Sequence, residues 1–221
     1  MANMRFIYSG TGYTSANCVK FLGIYVDQNL RWSDHVDYVS KILNKSRYAL
    51  SRIRDSMPLE SLLTVYYSYV YCQMSYNVIL WGNSADSFRI FLCQKRIIRT
   101  LLNLPLRESC RQHFIRHKIL TFPCIYILNC ILYIKDNINS FKTHSAVHSY
   151  PTRNNDLLAL PKHKTAKFQR GHIYQGIKLF NHLPMTLRHL NLISLKKCLK
   201  KLLLSKGYYG VEEFMMDDTF L

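Results

Sequence analysis

Cys110, His113 and His117 stand in a C-x2-H-x3-H spacing with Cys124 close behind, and these are side chains that hold zinc. On one helix, His113 and His117 project from the same face. Cys110 is two turns from His117, about 10 Å along the axis at ~1.5 Å per residue, too far for one tetrahedral ion. No C-x2-C pair completes a knuckle. The spacing therefore predicts a basic amphipathic helix with two surface histidines and no metal.

Phe214-Met215-Met216-Asp217-Asp218 superficially matches the aromatic-x-Asp-Asp block of polymerases, whose paired carboxylates hold two metal ions. That chemistry needs both acids on a rigid hairpin between strands, and only Thr219-Phe220-Leu221 remains beyond them. The reading is an acidic solvated tail. The chain has no G-x-S-x-G turn, no Cys/His pair with a signature of activation, no P-loop and no G-x-G-x-x-G. Its carboxylates are too sparse to single out a general acid/base pair. A non-enzymatic chain with no catalytic residues and no cofactor is expected.

The elements that would position side chains are mostly helical. Residues 5–8 read as a short strand, Ser9-Gly10-Thr11-Gly12 as turn residues and residues 19–26 as a second β-rich run. Ser33 or Asp34 can cap a helix whose apolar positions are Val36, Val39, Leu43, Leu50, Ile53 and Met57, ended by Pro58. Residues 58–81 form a tyrosine-rich helix. Another runs over 87–104 on an Ile90, Cys93, Ile97, Leu101, Leu104 stripe and stops at Pro105. A short helix at 109–118 and an apolar one at 122–138 come next. Residues 140–170 form a connector or extended arm. A last pair lies at 174–182 and 194–206, where Leu195, Leu199, Leu202 and Leu203 oppose Lys197, Lys200 and Lys201. The fold class is mainly α: a helical bundle, a small N-terminal β element, and an extended basic arm before the C-terminal helices. Three segments are expected: 1–30, 31–139 and 140–221.

With 48% hydrophobic residues, 8 glycines and 6 prolines in 221, the chain can bury a real core. Seven cysteines at irregular spacing suit a reducing intracellular compartment, nucleus or cytoplasm, and no secretory signal is visible. No charge falls between Glu60 and Asp86, and residues 119–134 are nearly all apolar. The first run is broken by polar residues, and the second is shorter than the ~20 residues of a membrane span. Both read as core helices, and no membrane partner is expected.

Charge is the strongest compositional signal. Thirty Lys+Arg oppose thirteen Asp+Glu, for a net +17. Glu212, Glu213, Asp217 and Asp218 fall in the last ten residues, so residues 1–211 hold nine acids against all 30 basic side chains. Such a surface attracts a polyanion, nucleic acid first and an anionic membrane second. On a helical wheel Lys41, Lys45 and Arg52 fall within ~40° of one another, with Tyr48 beside them. Lys95, Arg96 and Arg99 cluster away from their helix's buried stripe. Each row is able to follow a phosphate backbone.

At Val19-Lys20-Phe21-Leu22-Gly23-Ile24 the chain resembles the strand that closes the palm of reverse transcriptases. Beyond Ile24 it resembles the thumb and post-thumb region of LINE-like, jockey-type retrotransposon enzymes. The matching pieces run in order through Asp27, Trp32, Asp34-His35-Val36, Tyr66-Tyr67 and Leu80-Trp81-Gly82. They continue with Arg107-Glu108-Ser109-Cys110-Arg111, Leu120-Thr121-Phe122-Pro123, His148-Ser149-Tyr150-Pro151-Thr152-Arg153-Asn154 and Gly176-Ile177-Lys178-Leu179-Phe180-Asn181-His182-Leu183-Pro184. The resemblance implies a fragment of an RNA-directed DNA polymerase that lacks the palm aspartates. It implies that Lys20, Phe21, Leu22 and Gly23 lie near a primer terminus and that thumb helices grip the template–primer. Arg153 and the arm residues Lys162, Lys164, Lys167 and Arg170 would be secondary contacts. The expected partner is an RNA–DNA hybrid or other duplex, held through phosphates without sequence reading. The missing palm and fingers, or another protein, would be a further partner. The alternative is a helical protein-interaction module that uses the tyrosine-rich helix.

Overall fold

The computed structural model describes residues 16–147 and 155–217. Helices dominate, with one two-stranded antiparallel sheet near the N-terminus. The expected strand at residues 5–8 and the Ser9-Gly10-Thr11-Gly12 turn lie outside the described residues.

The β-rich run from Cys18 onward is not one strand. It folds into a hairpin, β1 (Cys18–Phe21) and β2 (Ile24–Asp27), with Val19 opposite Val26 and Phe21 opposite Ile24. The two-residue loop puts Leu22 at φ 45° and Gly23 at φ 81°, the left-handed pair that matches the twist of a tight hairpin.

Helix α1 (Ser33–Ile53) comes after the hairpin. Neither Ser33 nor Asp34 caps it. Trp32 occupies the cap position at φ 68° with no side-chain cap, and Asp27 instead binds the backbone leading into the helix. Its Oδ1 accepts from Asn29 and Arg31 at 2.9 and 3.0 Å, and its Oδ2 accepts from Trp32 at 2.7 Å. One carboxylate thus closes the hairpin and starts the helix. These N–H groups hold the Asp27 carboxyl below its ordinary range, outweighing the burial that raises it.

The helix expected over 58–81 is interrupted. Helix α2 (Leu59–Val65) widens into a π-helical segment, Tyr66–Tyr71, and resumes as α3 (Cys72–Ser75); Asn77 at φ 47° then separates α4 (Val78–Trp81). Thr64, Ser68 and Cys72 each bond back to the carbonyl four residues earlier, an arrangement that loosens regular helix. Helix α5 (Phe88–Leu102) buries Ile90, Cys93, Ile97 and Leu101 as its stripe predicts; Leu104 lies beyond its end.

Then come α6 (Arg111–Arg116), α7 (Phe122–Asp136), α8 (His144–Val147), α9 (Ala166–Gln169), α10 (His172–His182), α11 (Met185–Arg188), α12 (Leu192–Lys206) and α13 (Val211–Met215). Two compact units result. One holds residues up to Gln73 with Ser84–Leu101, the other Met74–Asn83 with Leu102 onward.

The first unit contains the hairpin, α1, the π-helical segment and α5. Val36, Val39, Leu43, Leu50, Tyr66 and Ile97 are buried, and buried Gln94 donates to the Tyr66 hydroxyl at 2.8 Å. In the second unit α7 is apolar on nearly every side and sits among α4, α10, α12 and α13. Trp81 stacks on Phe122 with ring centroids 5.3 Å apart. A Cβ on Gly176 of α10 would come 2.8 Å from Ile134 Cγ1 of α7, so the close approach of these helices needs glycine. Among the described residues no helix is long and apolar enough to cross a membrane.

Candidate nucleic-acid interface

On α1, Lys41, Lys45 and Arg52 are all exposed, and Tyr48 is 68% exposed. At 1.5 Å per residue the row spans about 16 Å of helix axis. None of the three basic side chains makes an ion pair among the described residues. The neighbouring acids are engaged elsewhere: Asp37 pairs with Arg89 at 2.7 Å, and Asp55 with Arg54 at 2.9 Å. Asp34 ends the row at the first turn. The base of α1 is fixed by Asp27 and by buried His35, whose Nδ1 accepts the Tyr25 N–H at 3.4 Å. Burial pulls the His35 pKa down to about 4, which keeps the ring neutral.

The hairpin adds Lys20 to this row. Its Nζ lies 5.4 Å from the ring centre of Tyr38 and 5.6 Å from that of Tyr25. Tyr38 sits one turn before Lys41 on α1, within about 20° of Lys45 on the wheel. Residues widely separated in the sequence thus form one strip. Phe21 and Leu22 stand at the hairpin tip, 60% and 74% exposed, with Gly23 exposed beside them.

The α5 cluster is less open. Arg96 is exposed, but Lys95 is half-buried with its amine 5.3 Å from the Phe91 ring centre, and Arg99 is half-buried. Only one of the three therefore faces solvent freely.

In the second unit Lys162, Lys164, Lys167 and Arg170 are all exposed along the arm, with Phe168 between them 44% exposed. The arm is anchored at its start. Asn181 of α10 both accepts from Leu158 N–H at 3.0 Å and donates to Leu158 O at 2.9 Å, and Leu158 pairs with Thr143 in an isolated bridge. Thr165 caps α9 through the Phe168 N–H. Arg153 lies outside the described residues, as does the His148–Asn154 block.

Lys196, Lys197, Lys200 and Lys201 of α12 are also exposed, opposite buried Leu195, Leu199 and Leu203. They lie outside the set of binding residues expected from sequence. A signal is present: no acid falls between Asp156 and Glu212, a span with eleven basic residues.

Two motifs take other roles. Cys110 is buried, while His113 bonds Glu108 at 2.6 Å and lies half-buried with its ring parallel to that of His117, 6.4 Å away. The pair is thus less exposed than expected. Burial, then the charges of Arg116 and His113, lowers the His117 pKa. Among the described residues no three metal-ligating side chains converge.

Within the described residues the acidic tail is engaged at Glu213 and Asp217 rather than fully solvated; Glu212 is exposed, and Asp218 lies outside the described residues. Phe214 is fully buried, Glu213 is held by Arg111, and Asp217 accepts from the Tyr208 hydroxyl and pairs with Lys206 at 3.1 Å. The apolar Phe214 supplies the reason, since burying it draws the flanking acids onto partners. Comparison of the chain with protein-family models, curated proteins and solved structures gives no match to any of them.

Proposed function

We propose that this chain binds duplex nucleic acid, an RNA–DNA hybrid in particular, through phosphate contacts and without reading sequence. The observation that carries the reading is the α1 strip: Lys41, Lys45 and Arg52, extended by Lys20, with Asp37 and Asp55 committed to Arg89 and Arg54. A row of fixed cations on a rigid helix neutralises successive phosphates and releases their counterions. The resemblance to the thumb of LINE-like reverse transcriptases supports a hybrid as the ligand, and the nucleus or cytoplasm as the place where it is met. The role is binding rather than chemistry. Asp27, Glu213 and Asp217 are each engaged by backbone or side-chain donors, which leaves them poorly suited to hold catalytic metal ions.

The test is a fluorescence-anisotropy salt titration on unrelated duplex and hybrid sequences. With about five phosphates neutralised, log K falls against log salt with a slope of about −4 to −5. Replacing Lys41, Lys45 and Arg52 together by Ala makes that slope shallower by roughly 2–3. An unchanged slope, or strong preference for one base sequence, contradicts the assignment. Exposed Tyr67 and Tyr69 on the π-helical segment favour a second reading, a protein-interaction face. It predicts weak salt dependence and apolar burial instead.

A further inference from the structure

Beside the basic strip, the first unit carries an open groove of about 270 Å³, lined by Lys45, Ser46, Ala49 and Leu50 of α1 and by Val65 and Tyr69. Three features bear on what fills it. Lys45 belongs both to the groove and to the phosphate-binding row, so a strand tracked along α1 passes the groove mouth. Tyr69 projects from the π-helical segment and is 66% exposed, which leaves a ring face open to stack on. The remaining wall is apolar apart from Ser46, no lining residue is acidic, and the volume is below the ~300–1,000 Å³ of a drug-sized ligand site. A single planar ring system carrying a phosphate fits this chemistry.

We infer that the groove takes one unpaired nucleobase, stacked on Tyr69 over Ala49, with its phosphate on Lys45. The inference rests on the proposed function and narrows its ligand to a duplex that ends in, or is interrupted by, unpaired nucleotides. A base in a fully paired duplex presents no free π-face; an unpaired base does, whatever its identity. The basic strip then sets affinity for the duplex, and the groove sets preference for a junction. π-Helical segments are rare in helices and occur frequently at functional sites. Here that segment bears Tyr69.

The experiment uses the whole chain and two probes: a blunt RNA–DNA hybrid, and the same hybrid with a short unpaired extension carrying the fluorescent base 2-aminopurine. The extended probe binds about fivefold to tenfold tighter than the blunt one, and its fluorescence is quenched on binding. Tyr69→Ala, and Ala49→Leu, which fills the groove from an exposed position, abolish both the preference and the quenching. They leave affinity for the blunt hybrid at the wild-type value, which also shows that the variants are folded. Tyr69→Phe retains the stacking face and restores preference and quenching. Equal wild-type affinity for the two probes overturns the inference while the duplex reading stands. So does quenching that survives Tyr69→Ala. If neither hybrid binds, the duplex reading fails; a 2-aminopurine single strand then decides the groove alone, since Tyr69-independent binding or none overturns it.

Discussion

The guanidinium of Arg111 forks onto the carboxylate of Glu213, 102 residues later in the chain, with Nη2 3.2 Å from Oε2. The same guanidinium lies 4.3 Å from the Tyr209 ring centre, and Tyr209 N–H donates to Oε2 at 2.7 Å. This pairing turns an acidic C-terminal stretch into a structural clasp beside buried Phe214.

Glu213→Gln weakens the clasp. Burial raises the Glu213 pKa, but the Arg111 hydrogen bond, the Tyr209 N–H and the Arg111 charge together hold it below its ordinary 4.5. The contribution to stability is therefore complete above about pH 4.5 and is lost as pH falls through the lowered folded value. With both side chains over a third exposed, screening limits the expected loss to about 1 kcal/mol at neutral pH. Urea unfolding of wild type and variant at pH 7 and in acid measures it; a gap that does not narrow in acid contradicts the assignment.

His35 works in the same pH direction over a different window. Its folded pKa of about 4 lies below the ordinary 6.5, so the unfolded chain binds the extra proton first. Stability falls as pH drops from about 6.5 toward 4, by on the order of 2–3 kcal/mol. His35→Gln destabilises the protein at pH 7 but flattens this decline. A decline of equal steepness in the variant would show that another group is responsible.

The helical plan is readable in the sequence because apolar spacing is a local property. Val36, Val39, Leu43 and Leu50 mark α1, and Ile90, Cys93, Ile97 and Leu101 mark α5, each buried as spaced. The features that escape such a reading depend on partners distant in sequence or on unusual backbone. Asp27 captures the Trp32 N–H five residues ahead and fixes the turn into α1, whereas the near candidates Ser33 and Asp34 lie inside the helix rather than at its cap. Leu22-Gly23 is not one of the strong hairpin dipeptides, so the turn is hidden inside a β-rich run. The exposure of Lys41, Lys45 and Arg52 agrees with the wheel. Lys20 reaches Tyr38 only through the hairpin, and the groove at Tyr69 depends on a π-helical widening that periodicity does not encode.

Gly176→Ala tests the close packing of α10 on α7. The added methyl meets Ile134 Cγ1 at 2.8 Å, and overpacking of this kind costs about 1–3 kcal/mol. Ile134→Ala removes the clashing atoms, so the double variant is less destabilised than the sum of the two single changes. Strict additivity in urea unfolding would show that α10 shifts freely and that the packing is not tight.

The last prediction concerns the lysines of α12. Lys196, Lys197, Lys200 and Lys201 are exposed on one side of a 15-residue helix that contains no acid, so no pairing within the helix neutralises them. A lysine face of this kind is either a solvated surface or a second phosphate-binding face, and net charge alone does not separate the two. Each phosphate that a variant no longer neutralises makes the salt slope shallower by about 0.9. Replacing all four by Gln keeps helix propensity nearly constant, so stability stays within about 0.5 kcal/mol per site. If α12 touches the duplex, the quadruple variant shows a shallower slope than wild type, and combining it with the α1 triple variant adds the two reductions. The expected reduction is roughly 2–3, because four lysines on about a third of a turn of surface cannot all reach one backbone. An unchanged slope beside an intact wild-type fold assigns α12 to solvent and leaves the α1 strip as the principal grip.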